Sequence, residues 1–312
     1  MLNIYRRIDG RLVPSESELV PDDAVWLDLV DPTDDERAMV TAGAQQELPG
    51  KEDVEEIEAS ARSYENESGL HIHSLFLHDV EGRPHNTSVA FTLSGDRLFT
   101  LREREIPAFR LLRMRARRDP EAARDAFSTF LSLFETKIDD LADTIEDVYQ
   151  GLEAVGAEVL KKTESSMEEA LDSLARHEDT NGKVRLCLMD TQRALTFLLR
   201  RGRMEPEQSD RARELLRDIE SLLPHNSFVF DKINFLMDAA QGFINIEQNQ
   251  IIKIFSIAAV VFLPPTLVAS IYGMNFEFMP ELKWMFGYPA ALILMVLSGI
   301  APYWYFKRKN WL

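Results

Sequence analysis

The pattern of hydrophobic and polar positions changes along the chain and divides it into three parts. In residues 1–105, short apolar runs are bounded by Gly, Pro and Asp, which is typical of strands. In residues 106–224, apolar residues recur at helical spacing among many acidic residues. From residue 225, a helical pattern continues into an uncharged apolar run. The chain is therefore predicted to combine an α/β domain, an acidic helical region and a long terminal helix.

The α/β domain is predicted from five apolar runs and one helix-capping signal. Strands are expected at residues 2–5, 24–29, 70–77, 88–93 and 97–101, and the last two should be joined through Ser94-Gly95-Asp96. Thr33 and Glu36 have the spacing of a capping box, so a helix should begin there. A further short helix is expected at residues 52–63.

The acidic region is predicted to contain long helices interrupted by breaker residues. Helices are expected at residues 121–160, 163–177, 183–201 and 209–222, with breaks at Asn181-Gly182 and at residues 202–206. Pro224 should end the last of these helices, and Asn226 or Ser227 can cap a new one. At 1.5 Å per residue, the new helix of about 48 residues, ending at Asn275, would be roughly 70 Å long.

Two uncharged apolar runs, residues 254–272 and 286–306, predict a helical hairpin through a bilayer. Each is long enough to cross roughly 30 Å of hydrocarbon as a helix of about 20 residues. Lys307, Arg308 and Lys309 follow the second run, so the positive-inside rule places this basic tail and the amino-terminal bulk in the cytoplasm. The predicted parts are a cytosolic α/β domain (1–105), a cytosolic acidic helical region (106–224), a stalk helix continuing into the first transmembrane helix (225–275), a periplasmic loop (276–285), a second transmembrane helix (286–306) and a basic cytoplasmic tail (307–312).

The charge distribution excludes some classes of partner. The chain has a net charge of −17, of which residues 1–253 carry −19 and the remaining residues +2. Such an acidic soluble part repels nucleic acid and attracts cations. The single Cys187 excludes an internal disulfide, and the first twelve residues lack the apolar core of a signal peptide. No nucleophile elbow or Gly-rich cofactor loop is present, so neither an enzyme nor an organic cofactor is expected.

The first span carries a stripe of small and weakly polar residues. A seven-residue repeat on the long helix places one stripe on Asn249, Ile252, Ser256, Ala259, Leu263, Thr266, Ser270 and Gly273. Such residues in a membrane helix mark helix contacts or the lining of a cavity. Simple dimer packing would explain the small residues, but it explains less well why the stripe runs from Asn249 at one membrane face to Asn275 at the other. One hairpin cannot enclose a pore, so a pore requires several copies around an axis.

Three motifs carry a resemblance to a known family. They are Tyr272-Gly273-Met274-Asn275 at the end of the first span, Met279-Pro280-Glu281-Leu282 in the turn, and Lys307-Arg308-Lys309-Asn310-Trp311-Leu312 at the terminus. Together they resemble the CorA family of magnesium channels, and closely its proteobacterial branch. The resemblance in motif covers residues 249–312, and over the rest of the chain it covers length and layout.

The resemblance implies a fold and a function. It implies a funnel-shaped homopentamer in a bacterial inner membrane that admits Mg²⁺, together with Co²⁺ and Ni²⁺. Membrane potential would drive influx, and intracellular Mg²⁺ would gate it. Gly273, Met274 and Asn275 would form the selective entrance, and Asn249, Ile252, Leu263, Thr266 and Ser270 would line the pore. Glu277 and Glu281 can concentrate cations at the entrance.

The chemistry of the first span favours magnesium over a transition metal. Mg²⁺ dehydrates reluctantly and usually keeps several waters, which a ring of amide oxygens can hydrogen-bond without removing them. The span contains no carboxylate, His or Cys, which are the side chains that would hold Zn²⁺ or Co²⁺ directly. Two alternatives remain at this point. One is a relative that moves Zn²⁺, Co²⁺ or Ni²⁺, and the other is a membrane-anchored sensor or scaffold.

The seven-residue repeat also predicts a regulatory site. Asp231 and Asp238 fall on the stripe of the stalk that faces the axis of an oligomer, and magnesium-sensing relatives have an acid at the position of Asp238. Carboxylates gathered around an axis repel each other, and a divalent cation between them relieves the repulsion. High cytosolic Mg²⁺ should therefore hold the stalks together and close the pore.

Overall fold

The strands of the amino-terminal part pair into one sheet. The computed structural model describes residues 1–8, 11–15, 19–46, 48–50, 62–160, 164–275, 277 and 279–309. The chain divides into two units, Met1–Met237 and Asp238–Leu312. The strands of the first unit are β1 (Leu2–Ile8), β2 (Arg11–Pro14), β3 (Ala24–Val30), β4 (Ser63–Asn66), β5 (Gly69–Val80), β6 (Arg83–Ser94) and β7 (Arg97–Arg102).

The order of strands in the sheet is β2-β1-β3-β7-β6-β5-β4. Only β3 and β7 pair in parallel among these described strands, and the other neighbours are antiparallel. All five predicted strands are confirmed, and so is the tight turn at Gly95, which has a φ of 56°. β2 and β4 were not predicted because four residues are too few for a clear alternating pattern.

Six α-helices and two 3₁₀ turns lie in the described part of the chain. They are α1 (Asp34–Ala44), α2 (Pro107–Ala116), a 3₁₀ turn (Pro120–Ala123), α3 (Ala126–Leu160), α4 (Glu164–Arg201), α5 (Pro206–Tyr272), a 3₁₀ turn (Pro280–Lys283) and α6 (Gly287–Arg308). The capping box is confirmed, with Thr33 Oγ1 accepting from Glu36 N at 3.3 Å and Glu36 Oε2 accepting from Thr33 N at 3.0 Å. The predicted helix at 52–63 lies outside the described residues except for its last two, and of these Ser63 begins β4.

The predicted break at Asn181-Gly182 is wrong, because α4 runs through both residues to Arg201. Asn181 and Asn226 are buried and form three hydrogen bonds with each other. Asn181 Nδ2 donates to the Asn226 carbonyl at 3.2 Å, and Asn226 Nδ2 donates to the Asn181 carbonyl at 3.0 Å and to Asn181 Oδ1 at 2.7 Å. An interior glycine costs a helix only about 1 kcal/mol, which tertiary packing of this kind offsets. The predicted break at residues 202–206 is confirmed.

The predicted helix end at Pro224 is also wrong, because α5 passes through this proline. The proposed new start at Asn226 or Ser227 therefore lies inside α5, and the helix begins at Pro206 instead. Ser227 Oγ donates to the Leu223 carbonyl at 3.1 Å, so its side chain bonds within the helix instead of capping a new one. The start predicted at residue 121 is wrong by five residues, because Asp125 Oδ1 accepts from Ser128 N at 2.8 Å and thereby caps α3.

The sheet has an apolar layer on each face. One face buries a cluster that includes Val40 of α1 and Leu27, Leu29, Phe99 and Leu101 of the sheet. The other face carries aromatic rings that pack against α2 and α3, with centroid separations of 4.1–6.4 Å among Phe76, Phe91, Phe109, Phe130 and Phe134. The sheet and these helices therefore share one core within the first unit.

A buried polar network connects α3 and α4 to β5. Asp190 of α4 accepts from Ser74 Oγ and from Leu75 N, both at 2.7 Å. Lys137 of α3 donates from Nζ to Ser74 Oγ at 2.9 Å, and its Nζ lies 4.5 Å from the centroid of the Phe76 ring. Burial lowers the pKa of Lys137. These contacts fix the position of the two long helices on the sheet.

The second unit contains the end of α5 and all of α6. Both helices are long and apolar enough to cross a membrane, by length and composition. Gly299 of α6 approaches α5 so closely that a Cβ placed there would lie 3.2 Å from the Val261 carbonyl oxygen and 3.3 Å from Pro265 Cγ. Because Pro265 has no N–H, that carbonyl lacks its usual partner in the helix. The glycine therefore lets α6 cover a carbonyl that the proline leaves free.

Candidate ion-conduction site

The segment from Gly273 to Asn275 follows the last residue of α5. Gly273 N still donates to the Ala269 carbonyl at 2.9 Å, and Met274 N donates to the Ile271 carbonyl at 3.3 Å, so the chain leaves the helix gradually. Asn275 is exposed, and its carboxamide makes no hydrogen bond with any residue that the structure describes. An oxygen acceptor and two N–H donors are thus available at the end of the span.

The loop after Asn275 carries exposed acids. Glu277 and Glu281 are exposed, and neither makes an ion pair with a described residue. Glu281 lies in the 3₁₀ turn Pro280–Lys283. Its carbonyl oxygen approaches Gly287 so closely that a Cβ placed there would lie only 2.4 Å away. The negative charge of both carboxylates is therefore unneutralised near the end of the span, as expected for groups that attract cations.

The stripe predicted to line a pore is exposed in the single chain. Asn249, Thr266 and Ser270 are exposed, and Ile252 and Leu263 are 61% and 66% exposed. The Thr266 hydroxyl donates to the Phe262 carbonyl at 2.7 Å, which leaves its lone pairs free to accept from water. Because apolar residues elsewhere on this span, such as Phe262, are equally exposed, α6 covers only a narrow part of α5.

The two stalk acids are also exposed. Asp231 and Asp238 lie on α5, and neither makes an ion pair within the described residues. No group of three or more His, Cys, Asp or Glu side chains that could hold a metal ion occurs in the part of the chain that the structure describes. Both carboxylates are therefore open to solvent in the single chain.

The basic tail begins within α6. Lys307 Nζ lies 5.9 Å from the centroid of the Tyr303 ring, and Arg308 Cζ lies 5.6 Å from that of Trp304. Lys309 caps the helix, since its backbone N–H donates to the Tyr305 carbonyl at 3.2 Å. Aromatic side chains are thus followed by cationic ones at this end of α6, the pattern found where a membrane helix meets water.

Comparison with known proteins agrees with this arrangement of two apolar helices after an α/β unit. The family model described as "CorA-like Mg2+ transporter protein" matches residues 21–308. The chain belongs to this family. It is similar to the magnesium transport protein CorA of Salmonella typhimurium and to that of Escherichia coli K12, with 58% identity in each case and coverage of 100% of both chains. The family is one of transporters rather than an enzyme class.

Solved structures support the same fold at low sequence identity. The complete CorA magnesium transporter of Methanocaldococcus jannaschii has a TM-score of 0.79 at 19% identity, covering 100% of this chain and 99% of that one. The full-length CmaX protein has a TM-score of 0.70 at 16% identity, covering 100% of this chain and 98% of that one. The predicted combination of an α/β domain, a long helix and two carboxyl-terminal helices is thereby confirmed.

Two features of the CorA-like spans were not predicted from the sequence. One is the close approach of Gly299 to Val261, and the other is a groove between α5 and α6 that begins at Lys253. Gly299, in the middle of an apolar run, was a signal for the close approach to Val261, because glycine is favoured where membrane helices come close. No local pattern indicated the second, because a groove depends on which faces of the two helices meet.

Proposed function

We propose that this protein is a homo-oligomeric channel through which Mg²⁺ enters the cell, together with Co²⁺ and Ni²⁺. The observation that carries the proposal is the free carboxamide of Asn275 at the end of an uncharged span, in a chain that belongs to the CorA-like Mg²⁺ transporter family. The relatives at 58% identity are magnesium transport proteins by name. The proposed location is a bacterial inner membrane with both termini in the cytoplasm, in line with the basic tail.

Several copies of the chain would form the pore. The apolar stretch of α5 has no buried residue, so its surface must be covered by lipid or by other copies. The polar stripe has no lining partner in its own hairpin, and other copies can supply one in a closed ring. The family resemblance implies five. Native mass spectrometry in a mild detergent should show a single oligomer, and a spectrum of monomers alone would contradict the proposal.

A ring of Asn275 side chains would select the ion at the entrance. Their amide oxygens can accept hydrogen bonds from the waters of a hydrated Mg²⁺, so the ion can enter without losing its hydration shell. The remaining entrance residues would be Gly273 and Met274. Asn249, Ile252, Leu263, Thr266 and Ser270 would line the passage below. Glu277 and Glu281 would raise the local cation concentration.

The membrane potential would drive entry. A double charge gains about 4.6 kcal/mol per 100 mV, twice the value for a single charge, so influx needs no other energy source.

Cytosolic Mg²⁺ would close the pore by binding among the carboxylates of Asp231 and Asp238 that several copies gather around the axis. The bound cation would lower the repulsion between these carboxylates. Replacing Asp238 with alanine should raise the Mg²⁺ concentration needed for closure, whereas Glu220→Ala, a change of an exposed acid off the stripe, should not.

Ion flux into liposomes that contain the purified protein tests the central role of Asn275. The parent should admit Mg²⁺ and Co²⁺, and Asn275→Ala should abolish Mg²⁺ entry without preventing membrane insertion. Gln250→Ala removes another exposed carboxamide of α5 that lies off the stripe, and it should leave flux unchanged. Normal flux through Asn275→Ala would refute the proposed entrance. Flux of Zn²⁺ without Mg²⁺ would instead favour a transition-metal transporter.

A further inference from the structure

A groove of about 250 Å³ lies between α5 and α6 in the second unit. Its apolar walls are formed by Ile257, Val260 and Val261 of α5 and by Phe306 of α6. Lys253 also lines it and precedes Val260 by two helical turns, or about 10 Å. The groove is therefore apolar along most of its length and cationic at the end where the span meets water.

The polar groups at the cationic end lack protein partners. Lys253 makes no ion pair, and the Tyr303 hydroxyl makes no hydrogen bond, with any residue that the structure describes. Lys307 brings a second ammonium group close to Tyr303. The only acids among residues 253–312 are Glu277 and Glu281, which lie in the loop between the spans. This end of the groove thus has positive charge, a free hydroxyl donor and no carboxylate from either span.

We propose that the groove binds one anionic phospholipid of the leaflet on the side of the basic tail. Its phosphate would pair with Lys253 and accept a hydrogen bond from Tyr303, while an acyl chain would lie along Val260 and Val261. Basic pockets between membrane helices at the cytoplasmic surface suit anionic headgroups in this way. The assignment of the leaflet rests on the membrane topology given under the proposed function.

A second copy of the chain is a poorer occupant of the groove. Neither span, residues 254–272 or 286–306, contains an acid. A neighbouring span packed into the groove would therefore bury the Lys253 ammonium without a counter-charge, which is costly. A zwitterionic phospholipid could supply an acyl chain, but its own cationic group would be repelled by Lys253 and Lys307. The negative headgroup matches the charge of the site.

Lipid retention by the full-length protein tests the proposal. The purified protein would be equilibrated in detergent micelles with equal amounts of phosphatidylglycerol and phosphatidylethanolamine, and bound lipid counted by native mass spectrometry. The parent should retain an excess of phosphatidylglycerol. Lys253→Gln should reduce that retention about five-fold, because one lysine near an anionic headgroup is worth about 1 kcal/mol. Val260→Phe, which fills the groove, should reduce retention of both lipids.

The matched control is Lys309→Gln, which removes one charge near the same end of α6 from a residue that does not line the groove. Retention should be unchanged in this variant. Equal losses in the two lysine variants, or no excess of phosphatidylglycerol on the parent, would overturn the proposal. So would a photoreactive phosphatidylglycerol that labels only residues outside the groove. None of these measurements depends on ion flux, so they fail or succeed separately from the proposed Mg²⁺ transport.

Discussion

Replacing Asp28 with leucine should destabilise the first unit strongly, because this carboxylate balances a fully buried arginine. The side chains of Asp28 and Arg102 are both 0% exposed and form an ion pair, with Arg102 Nη2 also 3.0 Å from Asp28 Oδ2. Asp28 Oδ1 accepts from Thr100 Oγ1 at 2.7 Å, and Arg102 Cζ lies 3.8 Å from the centroid of the Phe109 ring. Little water can reach the guanidinium if the carboxylate is removed.

The expected loss in the free energy of unfolding follows from removing one partner of a buried ion pair. Such a loss costs about 3–5 kcal/mol, because the remaining charge is left without compensation. Glu105 Oε2 lies 2.8 Å from Arg102 Nη2 and reduces the cost, but its side chain is 46% exposed and contacts solvent. We therefore expect Asp28→Leu to fall in this range. The double variant Asp28→Leu/Arg102→Met should be less destabilised than Asp28→Leu alone, because it removes both fully buried charges. Arg113, the other cationic partner of Asp28, keeps its ion pair with Glu105.

Urea unfolding of the full-length protein in detergent, with Trp284, Trp304 and Trp311 replaced by Phe in every variant so that fluorescence reports the buried Trp26, measures these free energies. Asp210→Leu is the control, since its ion pair with Arg213 is exposed on both sides and should contribute only about 0–1 kcal/mol. An Asp28→Leu variant as stable as this control would refute the reasoning. A double variant at least as destabilised as Asp28→Leu would also refute it, because the uncompensated charge of Arg102 would then not be the cause.

Three further outcomes are expected. Gly299→Leu should separate α6 from α5 and lower the stability of the assembly in an SDS titration by about 1–3 kcal/mol, and an unchanged midpoint would contradict the close contact with Val261. Gly182→Ala should raise the stability of the first unit to urea by about 0.5–1 kcal/mol, because nothing lies within 4 Å of the added methyl group. A lower stability in this variant would contradict the open space beside Gly182. Stability should fall as the pH is lowered below 6.5, because burial lowers the pKa of three histidines, so that the folded state binds fewer protons than the unfolded state. A urea midpoint that is constant from pH 7.5 to 5.5 would exclude such a contribution from His71, His78 and His177.

The sequence determined the features that depend on local pattern. Five strands, the capping box at Thr33 and the apolar pair of helices follow from periodicity and residue type over short stretches. The family could be recognised because its three motifs are short local segments, all of which lie within residues 249–312. Which residues line a pore depends on how several copies meet, and a local pattern does not specify that contact.

The tertiary structure decided the features that depend on distant residues. Local signals placed helix ends at Asn181 and Pro224, but α4 and α5 continue, because packing and the contact between Asn181 and Asn226, 45 residues apart, offset the local cost. Asp28 is a charged residue in an otherwise apolar strand, and the sequence around it indicates no partner. The parallel pairing of β3 with β7 brings Arg102 beside it. A buried charge or a helix breaker is stable only through partners that the fold supplies, and local sequence does not specify them.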